Sequence, residues 1–374
     1  MSFDSKPVLV FWETTRACPL SCIHCRADTL SEPLSGELDT REGKALIDML
    51  SGFGRPSPVM VFTGGDPLKR KDLFQLLEYA SERGVASAVA PAVSMNLTHD
   101  TLDKMRSIGV SSISLSLDSS LSDVHDATRR VEGTFERTID AVRYARRIGL
   151  GIQINTTVMR SNIAELPRIF ALLKQEHVRV WEVFFLINTG RGAMIEDISA
   201  NEYESVSNFL YDASHYGIVI RVVEGPFIRR VARQRNTYGM YWDAADYKLM
   251  HEGIISAFGE PTERSTIASK GTLDGDGIIF VAHDGTIYPG GFAPVPLGNV
   301  KSDNLVKVYK NNADLIKIRA REFSGTCGIC DFKDICGGSR ARAYASCGNL
   351  HGSDPACVNV TVPLQKSDVY KGNF

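Results

Sequence analysis

Long apolar runs are missing from this sequence. No stretch approaches the roughly 20 residues that span a bilayer. The opening Met1-Ser2-Phe3-Asp4-Ser5-Lys6-Pro7 is polar where a secretory signal would carry an apolar core. Neither a membrane protein nor an exported one is expected, and the cytoplasm is the expected compartment. An excess of either charge is missing too. A net charge of −2 offers no bulk attraction to nucleic acid or to an anionic membrane, so neither is an expected partner. Cysteine is absent from the whole stretch between Cys25 and Cys327. All eight thiols crowd the two ends, three at positions 18–25 and five from Cys327 to Cys357. In a reducing compartment such clusters read as two metal sites rather than as disulfides.

What is present is ordinary globular material. With 374 residues, 43% of them hydrophobic and 23% charged, the chain suits one large domain or one large and one small. Short β-branched and apolar runs predict strands at Val8–Trp12, Val59–Thr63, Ala86–Ala90, Ser112–Leu117, Gly151–Val158, Val180–Ile187 and Ile218–Val223. Amphipathic segments between them predict helices at Thr40–Phe53, Lys71–Arg83, His99–Ile108, Thr134–Ile148, Ile163–Gln175 and Asn201–Tyr216. Asp39-Thr40 can cap the first helix, and Gly84, Gly109 and Gly149 stand where three others should stop. Alternating strands and helices give an α/β fold with parallel strands, either an open doubly wound sheet or a full or partial barrel.

The pattern breaks after about Val223. Pro226–Arg235 reads as a basic helix, Thr237–Trp242 as an aromatic, turn-rich segment and Gly271–Gly277 as a loop. A hairpin follows, Ile278–Ala282 and Thr286–Tyr288 about the turn His283-Asp284-Gly285. The expected organisation is a core at 1–225, a connecting helical and loop segment at 226–275, and a small metal-organised module at 276–374 that has little core of its own.

The first thiols lie in Arg16-Ala17-Cys18-Pro19-Leu20-Ser21-Cys22-Ile23-His24-Cys25, with the spacing C-x3-C-x2-C. Three thiolates can hold three corners of a cubane iron–sulfur cluster and leave the fourth iron open to a ligand. Zinc is the alternative, but it wants four ligands, and His24 would have to bend back between two cysteines already on the metal. This motif, just after a first strand and followed by a βα array, resembles the radical S-adenosylmethionine enzymes, in which an aromatic residue or His commonly precedes the third cysteine.

The resemblance implies a partial (β/α)6 TIM-type barrel. It implies that Cys18, Cys22 and Cys25 hold a [4Fe–4S] cluster whose open iron chelates S-adenosylmethionine, and that one-electron cleavage yields a 5′-deoxyadenosyl radical that abstracts hydrogen from a substrate carbon. An electron donor of flavodoxin or ferredoxin type is implied as a partner. Thr63-Gly64-Gly65-Asp66-Pro67 corresponds to the family's Gly-Gly-Glu motif, with Asp66 in place of Glu; a plain strand-to-helix turn with an N-cap Asp is the alternative. Ser94 and Asn96 match the next strand end, Ser116 and Asp118 the strand whose end contacts the ribose, and Arg129 the arginine that pairs the cofactor carboxylate, unless it is a surface residue before a helix. Asn155 and Thr157 close the following strand, where they can reach the ribose or carboxylate. As cofactor-binding residues the resemblance therefore implies Gly64, Gly65, Asp66, Ser94, Asn96, Ser116, Asp118, Arg129 and Asn155.

At the other end, Cys327-x2-Cys330-x5-Cys336 followed by a distant cysteine is also a cluster-binding pattern, with zinc a stronger competitor here. Its position and the run Cys336-Gly-Gly-Ser339-Arg340-Ala-Arg342-Ala resemble the SPASM or twitch-like auxiliary-cluster extension, in the variant found in radical enzymes of haem biosynthesis. Two departures stand out: Tyr288-Pro289-Gly290-Gly291-Phe292 lacks the thiol that a full module has after its hairpin, and Ser339 replaces another. One auxiliary [4Fe–4S] cluster on Cys327, Cys330, Cys336 and Cys357 is implied, with Cys347 left over, packed as a small hydrophobe or free.

The expected substrate is a small molecule, a carboxylate-bearing tetrapyrrole, whose oxidative decarboxylation would leave an electron for a nearby cluster to accept. A short ribosomal peptide is the alternative, and a non-catalytic metal-binding or redox-sensing protein is the alternative of another class. Carboxylates would want arginines, for which Arg191, the run Arg229, Arg230, Arg233 and Arg235, and Arg340 with Arg342 are candidates; a solvated helix face is the competing reading of the run. Tyr238, Tyr241 and Trp242 could form a flat wall, and His251 and His283 could meet iron or substrate.

Overall fold

The computed structural model describes residues 3–239, 241–361 and 370–371. Seven parallel strands, β1 (Leu9–Glu13), β2 (Val59–Thr63), β3 (Ser87–Val89), β4 (Ser112–Ser116), β5 (Gly151–Val158), β6 (Val180–Phe185) and β7 (Val219–Val223), are neighbours in chain order. A doubly wound sheet reverses its order partway, whereas a barrel keeps it. The fold is therefore the α/β partial barrel. Between the strands lie α1 (Thr40–Ser51), α2 (Leu73–Glu82), α3 (His99–Ile108), α4 (Ser122–Arg129), α5 (Thr134–Arg147), α6 (Leu166–Gln175) and α7 (Ala200–Ala213).

Period-two alternation decides what each strand shows to the two sides of the sheet. Val10 and Trp12, Met60 and Phe62, Ile113 and Leu115, and Trp181, Val183 and Phe185 are buried in the apolar core with the helices' inner residues. On the other face Ser114, Ser116, Gln153, Asn155 and Glu182 of β4, β5 and β6 are polar and only partly buried. α1 starts in a reciprocal capping box: Glu42 N–H donates to Asp39 Oδ1 at 2.7 Å, and Asp39 N–H to Glu42 Oε2 at 2.9 Å.

Beyond β7 the expected basic helix is α8 (Ile228–Tyr238), which takes in Thr237 and Tyr238 and stops at a left-handed Gly239. The short strand β8 (Tyr241–Trp242) follows; the Tyr241 side chain lies outside the described residues. Up to Phe258 two helices were not foreseen. One is α4, too short to show a clear period. The other is α9 (Ala245–Phe258), which buries only Tyr247, Met250 and Ile254 and so carries a narrow apolar stripe. It packs on α6 and α7.

The strands β9 (Leu273–Asp274), β10 (Gly277–Val281), β11 (Thr286–Tyr288) and β12 (Gly298–Asn299) come next. The expected hairpin is β10–β11, and β10 pairs in parallel with β1, Leu9 opposite Ile278, so that it extends the barrel sheet. The C-terminal part adds α10 (Leu305–Asn311), α11 (Ala313–Arg319), α12 (Gly325–Ile329), α13 (Arg340–Cys347) and α14 (Val358–Thr361). A last strand, β13 (Tyr370–Lys371), pairs with β8. Among the described residues no helix is long and apolar enough to cross a membrane.

Candidate active site

The loop after β1 carries Cys18, Cys22 and Cys25, and the end of β2 holds it in place. Gly65 N–H donates to Thr15 O and Asp66 N–H to Ala17 O, both at 2.7 Å. A Cβ on Gly64 would stand 2.4 Å from Thr15 O, and one on Gly65 would stand 2.3 Å from Ala17 O. No side chain fits there, so the two glycines let backbone meet backbone. From the other side, Arg191 N–H donates to Cys25 O at 3.0 Å and Arg191 Nε to Cys22 O at 2.9 Å. From α4, Thr128 O accepts from Ile23 N–H at 3.0 Å.

The thiols open onto a cavity at the C-terminal ends of the strands, where barrel sites are built. Of the residues expected to bind the cofactor, Gly64, Gly65, Ser116, Arg129 and Asn155 line it together with all three cysteines. Asp66, Ser94, Asn96 and Asp118 are not among its lining residues. Asp66 is fully buried and accepts from Ser94 Oγ at 2.9 Å, Leu68 N–H at 3.1 Å and Ala92 N–H at 3.3 Å. It is thus an N-cap that also ties down the loop after β3, and burial pushes its carboxyl up. Ser94 passes the tie on by accepting from Asn96 N–H at 3.2 Å.

Asp118 is equally enclosed. It forms an ion pair with Arg129 and accepts from Thr157 N–H at 2.9 Å. Burial alone would raise its carboxyl, but the Arg129 guanidinium overrides this and holds it below the usual range. Arg129 is no surface residue; it ends α4, buried, with Nη1 3.6 Å from Cys22 Sγ and a buried Nε that has no partner among the described residues. His125, which the sequence reading did not assign, lines the cavity and accepts Asp118 N–H on Nδ1 at 3.2 Å. Burial pushes both His125 and His24 down to about 4, so the two imidazoles there are neutral.

Also unassigned from sequence were Arg26, Phe184 and Phe292, which line the cavity as well. The Arg26 guanidinium lies 4.6 Å from the Phe280 ring centre and 5.9 Å from that of Phe292. Its Nη2 reaches Glu13 Oε1 at 3.2 Å. The position of Phe184 at the end of β6 was a usable signal, but Arg26 meets Phe292 only through the fold.

The arginines expected to meet substrate carboxylates are mostly internal braces, which corrects that expectation. Arg191 holds the thiol loop. Arg230 is buried against Glu204 of α7, Nη1 to Oε1 at 2.9 Å, and Arg235 meets Asp212 at 2.7 Å. Arg229 donates to Thr272 O at 2.9 Å and Ile335 O at 3.2 Å. Arg233 alone of that run is exposed. Arg340 donates to Leu350 O at 3.1 Å and Gly352 O at 2.8 Å; Arg342 donates to Glu224 O at 2.9 Å and Leu186 O at 3.2 Å. The histidines are spent likewise, His251 on Asp212 and His283 on Glu13. Trp242 is buried with its Nε1 on Ser205, while Tyr238 is exposed, so these two form no common wall.

In the C-terminal part Cys327 and Cys336 are buried, Cys330 and Cys357 half-buried, and Cys347 exposed rather than packed. Backbone N–H groups of Asp354, Phe332 and Gly338 point at Cys327, Cys330 and Cys336 Sγ, each at 3.4 Å, as Leu20 N–H does at Cys18. Burial pushes Cys18 and Cys336 up to about 12 and Cys357 up to about 11. Buried thiols with donors aimed at sulfur suit thiolates on a metal, whose charge reverses that shift. Among the described residues no three His, Cys, Asp or Glu side chains converge on a point that one ion could fill. A cubane instead takes one thiolate at each separate iron. All-thiol donor sets of three and four are what iron–sulfur clusters take.

Residues 12–173 match the family model described as the Radical SAM superfamily. The chain is 35% identical over 361 residues to the AdoMet-dependent heme synthase of Nitratidesulfovibrio vulgaris, covering 95% of this chain and 93% of that protein. It is 32% identical over 372 residues to the Fe-coproporphyrin III synthase of Methanosarcina barkeri, covering 95% and 88%. The solved structure of native anSMEcpe with bound AdoMet covers 93% of each chain with a TM-score of 0.67 at 14% identity, a likeness of fold.

Proposed function

Because the chain belongs to the radical SAM superfamily, whose members use a [4Fe–4S] cluster and S-adenosylmethionine, we propose that this enzyme oxidatively decarboxylates a propionate-type side chain of an iron tetrapyrrole. Cys18, Cys22 and Cys25 would hold the cluster. Gly64, Gly65, Ser116, Arg129 and Asn155 would face the cofactor, with Asp66, Ser94, Asn96 and Asp118 supporting them from behind. The bound cluster and cofactor would supply a 5′-deoxyadenosyl radical, able to take hydrogen from an unactivated carbon.

One observation carries the substrate reading: Arg26, Phe184 and Phe292 stand on the wall of the cavity that holds the thiols, the two rings 6.4 Å apart between centres, with the Arg26 guanidinium near the Phe280 and Phe292 rings and one nitrogen on Glu13. An apolar wall with a guanidinium suits a large ring that carries carboxylates. The names of the relatives point to the same class of molecule. Loss of one hydrogen atom and carbon dioxide from the side chain leaves a vinyl group and one surplus electron. Cys327, Cys330, Cys336 and Cys357 would hold an auxiliary [4Fe–4S] cluster able to accept it. An external donor of flavodoxin or ferredoxin type would supply the electron that starts each turnover.

The test is anaerobic reconstitution with iron and sulfide, followed by reductant, S-adenosylmethionine and iron coproporphyrin III. The expected products are 5′-deoxyadenosine and a porphyrin lighter by carbon dioxide and two hydrogens per side chain. Arg26→Gln should raise the porphyrin KM about tenfold, the worth of one charge-assisted hydrogen bond. A cluster-replete enzyme that makes 5′-deoxyadenosine but leaves the porphyrin unchanged would remove the tetrapyrrole from the reading. Strong stimulation by a short peptide instead would replace it.

A further inference from the structure

Barrel lumens are commonly filled with branched apolar side chains. From β4 to β7 one row of this lumen is polar instead. The register sets Ser116 opposite Asn155, Asn155 opposite Glu182, and Glu182 opposite Arg221, a polar row across four strands. Directly opposed residues share a face of the sheet, so the four side chains stand side by side. Gln153, two residues before Asn155 and on the same face, ties the row together. Its Nε2 lies 2.8 Å from Glu182 Oε2 and 2.9 Å from Asn155 Oδ1; its Oε1 accepts from Arg221 Nη1 at 3.0 Å. Burial in the lumen, opposed by Arg221 and by Gln153, still pushes the Glu182 carboxyl up to about 7. A pair of apolar residues would fill the space at lower cost.

The chemistry of the partners decides the direction of every bond in the row. A guanidinium can only donate. Gln153 therefore turns its oxygen to Arg221 and its amide nitrogen to Glu182. That nitrogen also faces Asn155, which must answer with its own oxygen. The Asn155 Nδ2 is left over. It has no hydrogen-bond partner among the described residues, and Asn155 lines the cavity.

We propose that Gln153, Glu182 and Arg221 are positioning residues that hold the Asn155 amide with its nitrogen toward the cavity, as a donor to an acceptor oxygen of S-adenosylmethionine. The inference rests on the cofactor site proposed above. It assigns a role to three residues that do not themselves line the cavity, and it gives Asn155 a polarity as well as a place.

The test exchanges the two middle residues. The double variant Gln153→Glu with Glu182→Gln keeps the net charge and nearly the same atoms. It puts acceptor oxygens opposite Asn155, so the amide turns and presents its oxygen to the cavity. S-adenosylmethionine binding is read from the cluster's electron paramagnetic resonance signal, and 5′-deoxyadenosine formation gives KM and kcat separately. The expected result is a KM about tenfold higher, with kcat at saturating cofactor changed less than about threefold, the loss of one hydrogen bond in binding. Thermal unfolding and iron content show whether the exchange kept the fold. If it did not, Asn155→Asp, which lacks the donor at the same size, should show the same rise in KM. An unchanged KM in a folded, iron-loaded variant would overturn the inference. Failure of the parent protein to bind S-adenosylmethionine would instead overturn the site reading on which it rests.

Discussion

The two thiol sets are built by opposite means. The N-terminal three sit in one short loop at the mouth of an open cavity, held by strand ends: Gly64 and Gly65 against Thr15 and Ala17, and Arg191 against Cys22 and Cys25. The C-terminal four are spread over a longer stretch among short helices, with Cys327 and Cys336 buried and the arginines Arg340 and Arg342 buried beside them. Arg340 spans Gly338, Leu350 and Gly352, and Arg342 joins Asp354 to the ends of β6 and β7. The set proposed to leave one metal position open stands on a rigid barrel, which supplies the rest of the site. The set proposed to have its full complement of thiols would need only enclosure, and a small module can give that.

Breaking each set should separate the two roles. Cys18→Ser should abolish S-adenosylmethionine cleavage, beyond the 10–100-fold typical of residues that merely support a metal ligand. Cys336→Ser should strike tetrapyrrole product far harder than it strikes 5′-deoxyadenosine. Equal loss of both products in both variants would erase the distinction. Arg340→Ala leaves three carbonyls of the C-terminal part without their shared donor and should cost about 3 kcal/mol in urea unfolding. Gly65→Ala drives a Cβ into the Ala17 carbonyl, so the thiol loop must shift. About 1–3 kcal/mol of stability should be lost, with less iron at the first set by metal analysis. The smallest effect belongs to Cys347→Ser. The thiol is exposed and its Sγ donates to Ala343 O, so iron content should be unchanged and stability altered by less than about 0.5 kcal/mol.

Much of the barrel was legible because its signals are local. Seven apolar runs at βα spacing announced the seven strands, and the Asp39 cap and the glycine stops bounded their helices. What local pattern could not carry was partnership. Arg230 and Arg235 sit in a run whose charge alone suggested solvent or substrate. They are buried because Glu204 and Asp212 of α7 meet them there, and no periodicity within α8 announces residues on another helix. Arg129 was expected to pair a cofactor carboxylate, and it does line the cavity. That its guanidinium is shared between Asp118 and the Cys22 sulfur depends on α4, which was too short to read.

What the sequence determined by itself is the chemistry that short spacing controls: three thiols close enough for one cluster, two glycines at a strand end, an aspartate placed to cap the turn after them. Such features need only neighbouring residues, so they survive without the fold. What only the tertiary structure decided is direction. Asp66 and Asp118 turned inward as supports, Arg26 turned to the cavity near two rings, and the Asn155 amide took its orientation from an arginine two strands away. A hydrogen bond has a donor and an acceptor, and which end a side chain presents depends on partners that only folding brings within 3 Å.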